Sequence, residues 1–514
     1  MRDNIMIHRC NPSTPMSLES TDNEWTPVVR KDASKSSTTN ERIIDSREKG
    51  MTMVVFLSVL VATMASFNKG WNTGSPNISE KVVRGCEEQH LSGIFPDCLP
   101  MGDLLWGFNV AIMQIGGLIG GLAAGPVADQ LGRKRTLLLN NINFVVGGLM
   151  IGLSVNTTMF ATGRFLIGLG SGTSTVVGPI YIAESSTIRY RGAMGTLLQV
   201  SIALGILISQ ITGLGLATVP LWRVLFGLTI VFAGIQMFLL AFCPETPRYL
   251  LSKNRVIEAR KSLQKLRKGC YIENEFDDMV SGVQGDGSEH SLNASKSGTL
   301  RERMSDIMSD EYVRKMLFIG MGLHIAQQLS GVNGVTLYST LMFRQTIGPE
   351  LAPYMTICIA ALNVILNLCS SMLIDKSGRR PLLLISTGGM FVSCLLLIIG
   401  DMADLVVLNT VSVFLYTSSF SIGSATIPFM IIAELVPTWA AGIVVSIATS
   451  TNWACYSIVV FIYPTLISTF GAKSFIIFAV TNGIALIFIY LMVPETKGRS
   501  IDEIAALHSY QSVD

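Results

Sequence analysis

Neutral amide side chains cluster in one apolar stretch of the sequence. Gln327, Gln328 and Asn333 lie close together in segment 316–343, whose other residues are mostly apolar. Each amide both donates and accepts hydrogen bonds, and its burial is costly unless those bonds are made. The cluster therefore predicts either hydrogen bonds between packed helices or a polar site that faces a cavity.

Charged side chains form a second cluster, just after an apolar segment. Asp129 and Arg133 stand four residues apart, with Gly125 and Gly132 beside them. A carboxylate and a guanidinium can tie helix ends together in one conformation and separate in another, as a gate requires. Gly125 is expected to let two helices approach closely, and Gly132 to permit a tight turn. The alternative is an ordinary basic loop with a helix cap.

The charged cluster recurs in the second half of the chain. Glu434 lies 250 residues after Glu184, and a Pro-Glu-Thr sequence occurs both at 244–246 and at 494–496. Arg191 has no counterpart, since Ala441 occupies the equivalent step. The candidate gating charges are Asp129, Arg133, Glu184, Arg191 and Glu245 in the first half, and Arg379, Arg380, Glu434 and Glu495 in the second. Two similar halves are typical of a carrier that rocks around a site at mid-membrane.

Apolar segments must position these groups. Hydrophobic residues make up 49% of the 514 residues and charged residues only 14%, against about 25% in soluble proteins. Segments of roughly 20 apolar residues are long enough to cross a bilayer. The predicted spans are 51–71, 103–124, 136–154, 159–184, 192–215, 222–243, 316–343, 352–374, 382–402, 405–434, 441–467 and 473–493.

These spans define an all-α membrane protein with twelve transmembrane helices in two six-helix halves. The predicted divisions are a disordered tail (1–50), a first half (51–243), a central loop with short helices (244–315), a second half (316–493) and a C-terminal tail (494–514). Lys and Arg concentrate in alternate connectors, so the positive-inside rule predicts that both tails and the central loop are cytoplasmic. Cys86 and Cys98 share the first external loop, where a disulfide is possible. The Asn77 sequon lies close to the membrane, and we do not expect it to be used.

Other functional classes find no support in the sequence. The five histidines are scattered, and no nucleophile–base pair, metal-ligand spacing or phosphate-binding loop is present. The basic residues lie in membrane connectors, so nucleic-acid binding has no basis. We therefore expect neither an enzyme nor a cofactor or metal, with the lipid bilayer and a small molecule as partners; the oligomeric state stays open.

Taken together, the motifs resemble those of a known family. The chain from about residue 51 to 505 is similar to the sugar porters of the major facilitator superfamily, and in particular to their facilitative glucose transporter branch. The segments that carry the resemblance are 125–135, Pro244 to Arg248, Gln327 to Asn333, Gly378 to Arg380 and Pro494 to Arg499.

The resemblance implies a sugar site. By similarity, the predicted substrate-binding residues are Gln199, Gln327, Gln328, Asn333, Asn363, Asn452 and the aromatic Trp453. Tyr338 matches an aromatic residue of the outer gate. Sugar hydroxyls both donate and accept hydrogen bonds, which suits neutral amides.

Several residues depart from the glucose-carrier pattern. Ser421 replaces a Glu, Phe429 a Trp and Tyr456 an Asn, while His324 begins the triplet that replaces Gln-Leu-Ser. A fructose-preferring branch shares the Ser and lacks that triplet. The resemblance implies a passive hexose carrier of the plasma membrane, with glucose as the first choice and fructose, another hexose or a polyol as alternatives.

Two residues of span 1 bear on the mechanism. Asn72 stands where proton-coupled relatives carry an Asp, which disfavours a proton-coupled symporter. Family members are apolar at Lys69, which we expect at the external end of span 1 with its amine extended to the interface. A sugar sensor of the same fold that does not transport remains a further alternative.

Overall fold

The first helix is longer than its apolar stretch. The computed structural model describes residues 52–86, 95–187, 190–268, 270–285 and 300–497. Helix α1 covers Met53–Arg84, begins at the cap residue Thr52 and continues well past Trp71. The polar residues after Trp71 are buried inside the protein, which is why hydropathy placed the end of span 1 too early. Asn77 is itself buried in this helix, in agreement with an unused sequon.

The remaining helices follow the predicted spans closely. In the first half they are α2 (Asp103–Leu131), α3 (Arg133–Gly152), α4 (Thr157–Ser185), α5 (Arg191–Leu216) and α6 (Trp222–Phe242). In the second half they are α11 (Glu311–Leu329), α12 (Val332–Ile347), α13 (Ala352–Ser377), α14 (Arg379–Met402), α15 (Val406–Ile422), α16 (Ile427–Leu435), α17 (Thr438–Phe470) and α18 (Phe475–Met492). Between the halves lie the short helices α7 (Pro247–Ser252), α8 (Val256–Leu266), α9 (Glu273–Gly285) and α10 (Leu300–Ser309). The predicted tails 1–50 and, beyond residue 497, 494–514 lie outside the described residues.

Ten of the described helices are long and apolar enough to cross a membrane, α15 and α16 together counting as one. Helix α3 falls outside that set; it starts with Arg133, Lys134 and Arg135. The predicted seventh span also falls outside, because Gly331 divides it into α11 and α12. With these two segments, the twelve predicted spans all have helical counterparts.

Close packing in the first half depends on glycines other than Gly125. A Cβ added at Gly120 would collide with the backbone of Leu169 on α4, and one at Gly168 with that of Met113 on α2. At Gly125 a Cβ would have no atom within 4 Å, so the expected role of this residue in helix approach is wrong.

The two ends of the helical bundle differ in how the halves meet. We call the end with Arg133 and Arg379 the motif end, and the end with the Cys86–Cys98 disulfide the disulfide end. At the disulfide end one hydrophobic core takes residues from both halves, including Trp106 and Tyr463. Towards the motif end, a cluster within the first half and another within the second form separate cores. The halves are therefore packed together at the disulfide end and have independent cores at the motif end.

Candidate functional site

An amide network occupies the middle of the second half. Asn452 Nδ2 on α17 donates to Gln327 Oε1 on α11 over 2.6 Å, and it lies 3.0 Å from His324 Nδ1. Gln327 Nε2 in turn donates to the carbonyl of Ser424 over 2.6 Å. Gln327 lies eleven residues into the predicted span 316–343, about 17 Å along the helix, so the network is near the middle of the predicted span. The structure thus brings together two predicted sugar-binding residues from different helices.

Breaks in two helices create this arrangement. Gly331, with φ +88°, ends α11 in a left-handed conformation, and Gly423 separates α15 from α16. The chain then turns so that Asn333 Nδ2 on α12 donates to Gln328 Oε1 over 2.5 Å. Irregular backbone at membrane depth occurs where it is buried in protein or lines a cavity, as in carriers with discontinuous helices.

A second amide pair lies nearby on α13. Asn363 Oδ1 accepts hydrogen bonds from Ser421 Oγ over 2.9 Å and from Asn367 Nδ2 over 2.5 Å. Ser421 stands at the position where the family has a Glu. It is hydrogen-bonded to Asn363, a predicted sugar-binding residue. Asn363 is half-buried, whereas Ser421 is fully buried behind it.

The other departing residues also contact predicted site residues. His324 packs edge-on against Phe429, with 4.6 Å between ring centres, and touches Asn452. Tyr456 stacks on Trp453 with 6.1 Å between ring centres. The departures from the glucose-carrier pattern thus lie in the site itself, a clustering that the linear sequence does not reveal.

The first half faces this site with different chemistry. Gln199 on α5 is half-buried, and no hydrogen bond of its side chain is recorded among the described residues. Lys69 on α1 places its amine 4.6 Å from the centre of the Trp453 ring and 3.4 Å from Thr175 Oγ1. It lies at mid-helix, so its expected place at the external end of span 1 is wrong. Sequence reasoning missed it as a site residue, although its charge within an apolar segment was a signal.

Arg164 is a fully buried cation in the first half. It donates to the backbone carbonyl of Asn72 over 2.7 Å, and more weakly to those of Asn109 and Val110. Asn72 Oδ1 accepts a hydrogen bond from Thr229 Oγ1 over 3.1 Å. Arg164 therefore faces protein, as an arginine inside a membrane span requires.

Hydrogen bonds join the halves at the disulfide end. Asn77 Nδ2 on α1 donates to the carbonyl of Thr336 and to Ser339 Oγ on α12, while its oxygen accepts from Thr340 N. Tyr338, the predicted outer-gate residue, is fully buried beside these contacts, with irregular backbone angles, and stacks on Tyr463.

At the motif end, the predicted charges form one cluster in each half. Arg133 lies 3.1 Å from Glu184 and 3.2 Å from Asp129, which is 72% exposed. Arg379 lies 3.0 Å from Glu434, and Thr496 also donates to Glu434. These ion pairs stay within their own halves. The Arg191 side chain lies outside the described part of the structure.

In each half, the Glu of the Pro-Glu-Thr sequence completes the cluster. It accepts backbone hydrogen bonds at the start of α3 in the first half and of α14 in the second. Glu245 Oε1 accepts from Lys134 N over 3.0 Å, and Glu495 accepts from the backbone nitrogens of Arg379 and Arg380. Arg380 also reaches the carbonyl of Tyr490 over 2.6 Å. Partial burial opposes the charge on Glu495, but backbone hydrogen bonds, from Lys497, Arg379, Arg380 and Thr496, lower its pKa below the usual value.

Glycine is required at the start of these two helices. Gly132 and Gly378 have φ of +98° and +90°, in a region that side chains avoid. A Cβ at Gly378 would lie 2.7 Å from Glu495 Oε2, and one at Gly132 would collide with Glu245 Oε2. The two sites have the same geometry, which supports the repeat read from the sequence.

Comparison with known proteins agrees with this architecture. Residues 58–508 match the family model described as "Sugar (and other) transporter". Facilitated glucose transporter member 4 of Homo sapiens is 35% identical over 479 residues, which cover 89% of this chain and 91% of the relative. Member 2 of Gallus gallus is 32% identical over 511 residues, covering 89% and 94%.

Solved structures of the xylose transporter XylE share the fold. The proton:xylose symporter bound to 6-bromo-6-deoxy-D-glucose superposes with a TM-score of 0.72 at 23% identity, over 88% of this chain and 99% of that one. A partially occluded inward-open form from E. coli gives 0.71, over 87% and 100%. The fold is thus that of the major facilitator superfamily, and this multi-pass membrane chain belongs to the sugar transporter family.

Proposed function

We propose that this protein is a facilitative hexose carrier that works by alternating access, with glucose as its first substrate. The observation that carries the proposal is the mid-membrane amide network of Gln327 and Asn452, placed between two broken helices. Its neutral donors and acceptors match the hydroxyl groups of a sugar. The relatives named as facilitated glucose transporters support the same substrate class.

In this proposal the predicted site residues divide their roles. Gln327, Gln328, Asn333, Asn363 and Asn452 bind hydroxyls from the second half, Gln199 binds from the first half, and Trp453 packs against the ring. The halves close on one another at the disulfide end through Asn77, as one of the two states of an alternating-access cycle requires. In the other state, the two halves close on one another at the motif end, where the charge clusters lie.

The carrier is proposed to be passive. Asn72 cannot carry a proton, and its side chain is held by Thr229 and by the Asn68 carbonyl. We further propose that the motif end and both termini face the cytoplasm and that the membrane is the plasma membrane. The excess of Lys and Arg in the motif-end connectors supports this orientation.

Fructose is the second candidate. Ser421 is bonded to Asn363, and His324 touches the Gln327–Asn452 pair, so residues that depart from the glucose pattern contact the site. Loss or gain of one hydrogen bond changes binding by about 0.5–1.5 kcal/mol, enough to change the preference among hexoses.

Uptake into liposomes tests the proposal. Purified protein is reconstituted, and uptake of labelled glucose and of labelled fructose is measured with and without an imposed proton gradient. Saturable uptake that does not depend on the proton gradient is expected. The sugar that is taken up faster is then the preferred substrate. Uptake driven by the gradient would refute passive transport. Binding of a hexose without uptake would point to a sensor instead.

A further inference from the structure

A cationic side chain lies inside the bundle at the level of the sugar site. Lys69 is sixteen residues from the start of α1 and fifteen from its end, so it is about 24 Å along the helix. Its amine rests over Trp453 of the other half and beside Thr175 of α4. It therefore lies between the two halves, too deep for the amine to extend to either interface.

The charge of Lys69 has no carboxylate partner among the described residues. Its recorded contacts are the Thr175 hydroxyl at 3.4 Å and the Trp453 ring. The buried carboxylate on the same helix, Glu80, is engaged by Arg84 at 2.7 Å. An ammonium within a membrane is costly unless it is paired or serves a substrate path. Lys69 is half-buried as a residue, and its amine lies at the boundary between the two halves.

Arg164, the other interior cation nearby, is already engaged. Its guanidinium donates to three backbone carbonyls, those of Asn72, Asn109 and Val110. Lys69 therefore supplies one positive charge that no carboxylate of the described residues contacts, which matches a monoanion. A phosphate monoester carries about −1.5 to −2 charges and three strong acceptor oxygens, for which a single ammonium is a poor match.

We propose that the central site also takes a sugar acid, a hexose derivative with one carboxylate of the uronate or aldonate class. The carboxylate binds the Lys69 amine, while the hydroxyls bind the amides of the second half and the ring packs on Trp453. This inference rests on the proposed sugar site. A carboxylate on the ligand would supply the counter-charge that the described protein residues do not.

The test measures uptake of labelled glucuronate and labelled glucose in liposomes. Wild-type protein is expected to take up glucuronate saturably, and more of it under an inside-positive potential, since the substrate carries a negative charge. Lys69→Met is expected to lower the ratio of glucuronate uptake to glucose uptake at least tenfold, and Lys69→Arg, which keeps the charge, to restore much of it. The control Lys81→Met removes an exposed amine from the same helix and should leave both uptakes unchanged.

Several outcomes would overturn the inference. Wild-type protein that carries glucose but neither carries glucuronate nor is inhibited by it would refute the inference and leave the hexose carrier standing. An unchanged uptake ratio in Lys69→Met would refute the role of Lys69. An equal loss of both uptakes in Lys69→Met, repaired by Lys69→Arg, would show that the contact with Trp453 holds the halves together instead. Glucuronate uptake without any hexose uptake would refute the hexose proposal and support the anion site.

Discussion

The two halves of the molecule repeat one fold but present different chemistry to the space between them. The second half offers pairs of bonded neutral amides, Gln327 with Asn452 and Gln328 with Asn333. The first half offers the predicted amide Gln199 and the cation Lys69. At the motif end, by contrast, both halves build the same cluster of Arg, Glu and capping Glu. Symmetry is thus kept at the motif end, where we propose that the halves move against each other, and lost at the proposed sugar site, since a sugar is itself asymmetric.

The difference between the halves is tested most strongly by removing one amide from each half. Gln327→Ala should raise the half-saturation concentration for hexose about 10- to 100-fold, because it also removes the shorter of the two hydrogen-bond contacts of the buried Asn452 amide. Gln199→Ala should cost less, about 2- to 10-fold, since no buried partner of Gln199 is left unpaired.

Concentration-dependent uptake in liposomes measures both effects. The exposed Gln345 provides a matched control, and Gln345→Ala should leave the half-saturation concentration unchanged. A larger loss in Gln199→Ala than in Gln327→Ala would contradict the assignment of the main sugar contacts to the second half.

The symmetry of the motif end can be tested at its two glycines. Gly132→Ala and Gly378→Ala should each destabilise the protein by about 1–3 kcal/mol, because both residues have positive φ and face a carboxylate. Thermal unfolding of the purified protein measures the loss. Gly227→Ala, at a helical position where a Cβ meets no atom within 4 Å, should show none. A loss of stability from only one of the two substitutions would show that the two halves are not equivalent at the motif end.

The cap of the second cluster should depend on pH. The lowered pKa of Glu495 means that its charge contributes stability above the usual carboxyl pKa, and that this contribution is lost as pH falls through the lowered value. Glu495→Gln should therefore destabilise the protein at neutral pH by about 1 kcal/mol, since the bonded carboxylate is only partly buried. The difference from wild type should shrink below about pH 4. An equal difference at every pH would argue against a charged cap.

The smallest expected effect concerns the one charge that the repeat lacks. Ala441→Arg would give the second half the arginine that Arg191 gives the first, and should slow interconversion by up to about fivefold, as for a partly exposed ion pair. Arg191→Ala should change the rate in the opposite direction. Exchange rates of labelled hexose in liposomes measure both effects. Equal rates in the wild type and in both variants would show that these charges do not contribute to the gate.

Sequence reasoning succeeded where the pattern is local. The charged motifs could be assigned to equivalent places in the two halves because Arg133 and Glu184 recur as Arg379 and Glu434 after corresponding spans. Resemblance to a family predicted Gln327 and Asn452 for the same site, and the structure brings the two side chains into hydrogen-bond contact. The twelve spans followed from runs of apolar residues, most of them with boundaries within a few residues of the helix ends.

Sequence reasoning failed where polar residues are buried in protein rather than exposed to water. The second part of α1 is polar, so hydropathy ended the span near Trp71 and placed Lys69 at an interface. Contacts between distant segments were equally inaccessible, such as the bond from Ser421 to Asn363 and the packing of His324 on Phe429. The packing of His324 on Phe429 also involves the turn at Gly423, whose direction the linear pattern does not specify.

Counterflow tests the central claim, that the halves alternate around a hexose site, most directly. Liposomes that contain the protein are loaded with unlabelled glucose or fructose and diluted into a trace of the same labelled sugar. The account predicts that label accumulates transiently above its outside concentration, because one site exchanges internal for external sugar. Label that enters without this overshoot, or that binds without entering, would contradict an alternating-access hexose carrier.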